Sequence, residues 1–173
     1  MNLLQRFQKI RTFIFDVDGV LTNGDLLVLE SGEMARVMNV KDGYALQLAL
    51  KLDYEIIVVS GSAPSAVQQR LNRLGIREVY FAVKDKKAFI GQLMEQKQLR
   101  AEAVLFMGDD LPDLPVFDIV GLSACPADAV GEVQQRVRFI SGSGGGRGCV
   151  REVIEKVLRS NGHWGTDSRI AST

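Results

Sequence analysis

The chain has 173 residues, 46% of them hydrophobic, and its 21 basic and 21 acidic side chains cancel. That length and hydrophobic share suit one domain with a proper core and exclude a disordered chain. Zero net charge without a basic stripe argues against nucleic acid as a main partner, and a single His nearly excludes triad or His-rich zinc chemistry.

In chain order, the start (Met1-Asn2-Leu3-Leu4-Gln5-Arg6-Phe7) is briefly amphipathic but lacks the apolar core and cleavage site of a signal peptide. Residues 12–15 form an apolar run that predicts a buried strand ending at Asp16. Residues 24–40 break the rhythm. Two strand-like runs, 26–29 and 34–38, flank Glu30-Ser31-Gly32-Glu33, a polar connection with Gly that signals a hairpin. Helical patterns follow at 45–52, 65–74 and 86–96, alternating with strand-like runs at 56–59, 79–81, 104–107 and 120–123. Residues 141–148 (SGSGGGRG) read either as a plain connector or as a segment that helps close a site. Val150, Val153, Ile154, Val157 and Leu158 mark an amphipathic last helix. The expected organisation is a single domain over 1–164, its last two residues, His163-Trp164, having a place to dock, with a flexible tail at 165–173. Strand–helix alternation with β-rich apolar runs predicts an α/β fold, a doubly wound parallel sheet covered on both faces. No run reaches the about 20 apolar residues that span a bilayer, so a cytoplasmic protein without a membrane partner is expected. Cys125 and Cys149, far apart, read as ordinary buried thiols.

Ligands of open parallel sheets bind at the carboxyl ends of the strands. There the chain places Asp16-Val17-Asp18-Gly19, Ser60-Gly61 and Gly108-Asp109-Asp110, with Asp113 three residues on and Lys84 and Lys86 after the third strand. Asp16 and Asp18, two apart in extended chain, would lie on one side, about 6–7 Å apart. Carboxylates so close repel unless a cation relieves them. Mg²⁺ fits, since it takes a few carboxylates together with waters and a phosphate oxygen. A lysine would then balance an anionic substrate, and Ser60 with the Gly61 amide at a helix start would cradle a phosphate. Lys84 reads as a solvated side chain.

Asp16-Val17-Asp18-Gly19-Val20-Leu21-Thr22 resembles the first motif of the haloacid dehalogenase-type phosphatases. Ser60 stands where their second motif has Ser or Thr, Lys86 where the third has Lys, and Gly108-Asp109-Asp110-Leu111-Pro112-Asp113 where the acidic fourth stands. Within that superfamily the chain is similar to the capless subfamily that contains 3-deoxy-D-manno-octulosonate 8-phosphate phosphatase. The matching features are the short hairpin in place of a cap, Asn39-Val40-Lys41-Asp42-Gly43-Tyr44, Arg70 before Leu74-Gly75-Ile76, and Gly145-Gly146-Arg147-Gly148-Cys149-Val150-Arg151-Glu152.

The resemblance implies a Rossmann-like fold and a Mg²⁺-dependent hydrolysis of a sugar-acid phosphate. Asp16 would be the nucleophile that forms a phosphoaspartyl intermediate, Asp18 the general acid and base, and Lys86 the cation beside the phosphoryl group. Asp16, the backbone carbonyl of Asp18 and Asp109 would hold Mg²⁺, with Asp110 in support. Ser60, Gly61, Asn39, Lys41, Asp42, Gly43, Arg70 and Arg147 would contact substrate. A homotetramer with the hairpin packed between subunits is also implied. Two positions depart from the family pattern. Ser62 stands where Arg commonly follows the second-motif Gly, and Gln47 where a basic residue is frequent. A phosphatase of nonulosonic acid 9-phosphates stays open as an alternative. A non-catalytic module has no need of four mutually costly charges at one rim.

Overall fold

A computed structural model describes residues 1–165. Its main sheet has six strands in the order β5-β4-β1-β6-β7-β8. They are β1 (Thr12–Phe15), β4 (Glu55–Val59), β5 (Glu78–Tyr80), β6 (Val104–Met107), β7 (Leu122–Cys125) and β8 (Phe139–Ile140), and every pairing between them is parallel. The tail expected at 165–173 lies, from residue 166 on, outside the described residues.

The central strands are apolar on both sides because both faces are covered. Phe13 and Phe15 of β1 point to one face, where they meet α2 (Val40–Lys51), α3 (Ala66–Arg73) and α6 (Cys149–Ser160). Ile14 points to the other, where it meets α4 (Lys86–Gln96) together with Val116 and Phe117 of a 3₁₀ segment, Leu111–Asp118. A short α1 (Leu3–Lys9) lies against α6 and buries Phe7 edge-on to Phe139. The sheet is therefore doubly wound, and strand order reverses at β1, opening a crevice at the carboxyl ends of β4, β1 and β6.

Some boundaries differ from the sequence reading. The helix expected from residue 45 begins at Val40, because Asn39 caps it by accepting the Lys41 N–H at 2.8 Å. Val40 and Gly43, poor helix formers, masked that first turn. The strand expected at 120–123 lies at Leu122–Cys125, since Gly121 is held in a turn by the Ala101 carbonyl at 2.7 Å. β8 is an edge strand of two residues, too short to show a period.

The hairpin forms as β2 (Leu27–Val28) antiparallel to β3 (Met34–Ala35), closed by Gly32 at φ 85°. It is pinned at its base by a bridge between Thr22 and Met38. Leu27, Val28, Met34 and Val37 are each more than half exposed. His163 and Trp164 do dock. Tyr54 Oη and His163 Nδ1 are 2.9 Å apart, and the guanidinium groups of Arg151 and Arg159 lie over the Trp164 ring.

Candidate active site

β1 delivers Asp16 to the crevice and the chain then turns sharply through Val17–Leu21, with Gly19 at φ 83°. The turn must be glycine for a second reason. A Cβ on Gly19 would stand 2.0 Å from Asp109 Oδ2, so only glycine lets the acid from β6 close against the acid from β1. The Gly-rich stretch lies directly beneath. A Cβ on Gly145 would fall 1.9 Å from the Gly19 carbonyl oxygen, and the Gly146 N–H donates to the Val20 carbonyl at 2.9 Å. Asp128 fastens the stretch by accepting the Gly145 N–H at 2.9 Å. Residues 144–146 are thus a buttress of the turn rather than a loose connector.

Above the turn, Lys86 at the start of α4 bridges two carboxylates. Its Nζ is 3.0 Å from Asp16 Oδ1 and 2.6 Å from Asp113 Oδ1. Asp16, Lys86 and Asp113 are all buried. Asp113 also accepts the N–H groups of Asp109 and Asp110, at 3.0 and 3.3 Å, which locks the acidic loop after β6. Burial, and then repulsion from Asp113, push Asp16 up to about 7 against the pull of Lys86. Burial, and then repulsion from Asp16, Asp113 and Asp110, push Asp109 up to about 7. Burial favours a neutral Lys86, but the charges of Asp16 and Asp113 outweigh it and raise its pKa.

Carboxylate oxygens of Asp16, Asp109 and Asp113 lie within 4.8 Å of one another. Buried Asp109 Oδ1 has no hydrogen-bond partner. With Lys86 the ionised cluster carries two uncompensated negative charges, which one divalent cation would neutralise. The donor set is all oxygen, so a hard cation such as Mg²⁺ fits. Asp110, expected to support the metal, lines the cavity over the cluster but is exposed, and its side chain caps the 3₁₀ segment by accepting the Leu111 N–H at 2.7 Å. Asp113 takes the inner position. Its spacing after Asp109 was visible in the sequence, but nothing there tied it to Lys86.

A cavity of about 550 Å³ opens over this cluster, lined also by Asp18, Ser60, Gly61, Ser62 and Lys84. Ser60 Oγ is 2.8 Å from Ser62 Oγ and accepts the Ser62 N–H at 3.1 Å. The expectation of a helix start at Gly61 is corrected: α3 begins only at Ala66, and Gly61 and Ser62 form a bend.

The other expected substrate contacts go elsewhere. Asn39 caps α2. Asp42 is buried at the start of α6, where it accepts the Arg151 N–H at 2.7 Å, and burial lifts it to about 6. Gly43 is buried, and a Cβ there would lie 3.0 Å from Arg70 Nη2, so the Arg70 head rests on α2. Lys41 and Arg147 line a separate surface cavity of about 400 Å³ with Arg151. Within this chain none of these residues lines the cavity over the acid cluster. Arg36, which the sequence reading passed over, reaches Asp18 from the hairpin with Nε 2.6 Å from Oδ1. Only the fold reveals that pair, 18 residues apart across a hairpin.

No protein-family model matches the chain. Curated and solved relatives do. The chain is 36% identical, over 93% of its length and 86% of the relative's, to the 3-deoxy-D-manno-octulosonate 8-phosphate phosphatase KdsC of Escherichia coli (strain K12). A putative haloacid dehalogenase superfamily (subfamily III A) hydrolase from Legionella pneumophila superposes with a TM-score of 0.89 at 32% identity, covering 92% of this chain and 88% of that one. The 3-deoxy-D-manno-octulosonate 8-phosphate phosphatase of Moraxella catarrhalis, solved with a magnesium ion, a phosphate ion and KDO, gives a TM-score of 0.88 at 26% identity, covering 92% and 91%. On sequence, fold and the acid cluster together, the chain belongs to the 3-deoxy-D-manno-octulosonate 8-phosphate phosphatase family of the haloacid dehalogenase superfamily.

Proposed function

We propose that this chain is a Mg²⁺-dependent phosphatase that hydrolyses 3-deoxy-D-manno-octulosonate 8-phosphate to the free sugar acid and phosphate. The observation that carries the reading is the Lys86-bridged carboxylate cluster on the cavity floor. It brings buried carboxylates and a lysine within a few ångströms of one another, which supports a nucleophile, a cation and a divalent-metal site acting together.

Asp16 and Asp109, with the backbone carbonyl of Asp18, would hold the metal. When bound, Mg²⁺ supplies the charge that lets two anions, carboxylate and phosphate, approach. The Ser60 hydroxyl and Lys86 hold the phosphoryl oxygens. An Asp16 carboxylate oxygen attacks phosphorus, the bond from phosphorus to the sugar oxygen breaks, and Asp18 gives its proton to that oxygen. Asp18 then takes a proton from water, whose oxygen attacks phosphorus and breaks the bond to Asp16. Phosphate leaves and Asp16 is restored. Asp113 acts through Lys86 and the loop amides as a positioning residue.

Release of phosphate from a panel of sugar phosphates tests the reading. The octulosonate 8-phosphate is expected to exceed neutral sugar phosphates at least tenfold in kcat/KM. No preference among them overturns the substrate, and preference for a nine-carbon acid 9-phosphate moves it to the nonulosonate class.

The same reading includes a homotetramer in the cytoplasm. Its support is the exposed apolar hairpin, a surface suited to burial against another copy. Among the described residues no helix is long and apolar enough to cross a membrane. In such an assembly Lys41 and Arg147 would serve a neighbouring site. Light scattering of wild type and Val28→Asp checks this, a tetramer that the substitution dissociates being the expected result.

A further inference from the structure

The hairpin turns its apolar residues outward and one polar residue inward. The Arg36 side chain is only 10% exposed, while Met34, Ala35 and Val37 beside it face solvent. Its guanidinium grips Asp18 at two points, Nε to Oδ1 at 2.6 Å and Nη2 to Oδ2 at 3.4 Å. Beside it lies a second cavity of about 310 Å³ between the hairpin and α3, lined by Met34, Met38, Val67 and Arg70 among others. Asp18 belongs to the catalytic cavity and Arg36 to this second one. One ion pair therefore stands at the junction of the two.

This resting arrangement has a chemical consequence. With Arg36 on both its oxygens, the Asp18 carboxylate is held to the hairpin and is not free to turn to the leaving oxygen of a substrate. A largely buried guanidinium does not leave one carboxylate unless another anion replaces it, because an unpaired buried cation is costly. The replacement must enter the second cavity. Arg36 and Arg70 both line that space, and guanidinium groups are the donors best matched to a carboxylate.

We propose that Arg36 is a specificity-determining residue that exchanges partners. The carboxylate of a sugar-acid phosphate, lodged between the hairpin and α3, draws Arg36 off Asp18 and so releases the acid and base for the substrate that carries it. The proposal rests on the phosphatase reading and goes beyond it, since it makes the hairpin part of this chain's own site. A phosphate ester without a carboxylate, such as p-nitrophenyl phosphate, leaves the pair closed.

The test measures kcat/KM for the octulosonate 8-phosphate and for p-nitrophenyl phosphate in wild type, Arg36→Ala and Arg36→Lys. Arg36→Ala is expected to lower the ratio of the two values by about 10–100-fold, the loss lying mainly in a higher KM for the sugar acid. Arg36→Lys, which keeps the charge but not the two-point grip, should recover part of it. Equal losses on both substrates, or an unchanged ratio, overturn the role of Arg36 while wild-type turnover leaves the phosphatase reading standing. A wild-type protein that does not hydrolyse the sugar-acid phosphate overturns both. Should Arg36→Ala fail to fold, by circular dichroism and thermal melting, Arg36→Gln is read in the same way.

Discussion

Two buried acids show how burial sets the chemistry of single residues. Asp16 shares its Oδ1 between the Val17 N–H at 2.7 Å and Lys86 at 3.0 Å, which holds the carboxylate in one orientation. Asp16→Asn keeps that shape but removes the nucleophile and a metal charge. Turnover is expected to fall more than 1,000-fold, about 4 kcal/mol in the barrier, while circular dichroism still shows the folded protein. Activity within tenfold of wild type would refute the role. Asp42 is the opposite case, a buried acid with a structural task. Its pKa rises from 3.8 in the unfolded chain to about 6, so ionisation costs stability as pH climbs between those values, up to about 3 kcal/mol. In Asp42→Asn that cost disappears. The melting temperature of the variant relative to wild type should therefore rise from pH 4.5 to pH 7, and a constant difference would contradict the assignment.

At the scale of elements, the motif turn after β1 depends on a loop more than 120 residues later. Gly145 sits under Gly19 and is held there by Asp128. Gly145→Ala inserts a methyl group where backbone occupies the space, and the backbone of the turn must move. Overpacking of this kind costs about 1–3 kcal/mol, which for a chain of this size lowers the melting temperature by about 2–12 °C. Because the displaced carbonyl belongs to the Gly19–Val20 peptide, one residue on from Asp18, kcat should fall as well. A variant that melts and turns over like wild type would show that the contact positions nothing. The hairpin, by contrast, contributes almost no core. Its base is pinned beside the site, and its inward residue bears on Asp18.

At the scale of the whole molecule, folding gathers more negative charge than the protein offsets by itself. Asp16 and Asp109, both raised to about 7, hold protons in the metal-free folded state that the unfolded chain has already lost at neutral pH. The metal-free protein therefore loses stability as pH rises from about 4 through 7. Mg²⁺ must displace those protons, so its affinity by calorimetry should strengthen at least tenfold between pH 6 and pH 8. The rise in melting temperature on adding Mg²⁺ should be larger at pH 8 than at pH 6. An affinity independent of pH would place the ion away from these acids. EDTA should abolish turnover.

The apolar runs at 12–15, 56–59 and 104–107 specified their strands by themselves, since a strand buried on both faces has no other composition. The residues ending those runs were bound to share one rim because parallel strands align their carboxyl ends. Asp16, Asp18, Ser60, Lys86 and Asp109 could thus be grouped from order and local chemistry alone. Which group each side chain faces was a different matter. Asp42 and the Arg151 N–H, Gly145 and the Gly19 carbonyl, and Arg36 and Asp18 are contacts made across the fold. Each depends on how two elements pack to within an ångström, and no local pattern encodes that distance. For the same reason the roles of Asp110 and Asp113, three residues apart in one acidic motif, could not be told apart: the sequence determined that acids crowd the rim, and only packing around Lys86 decided which of them is buried there.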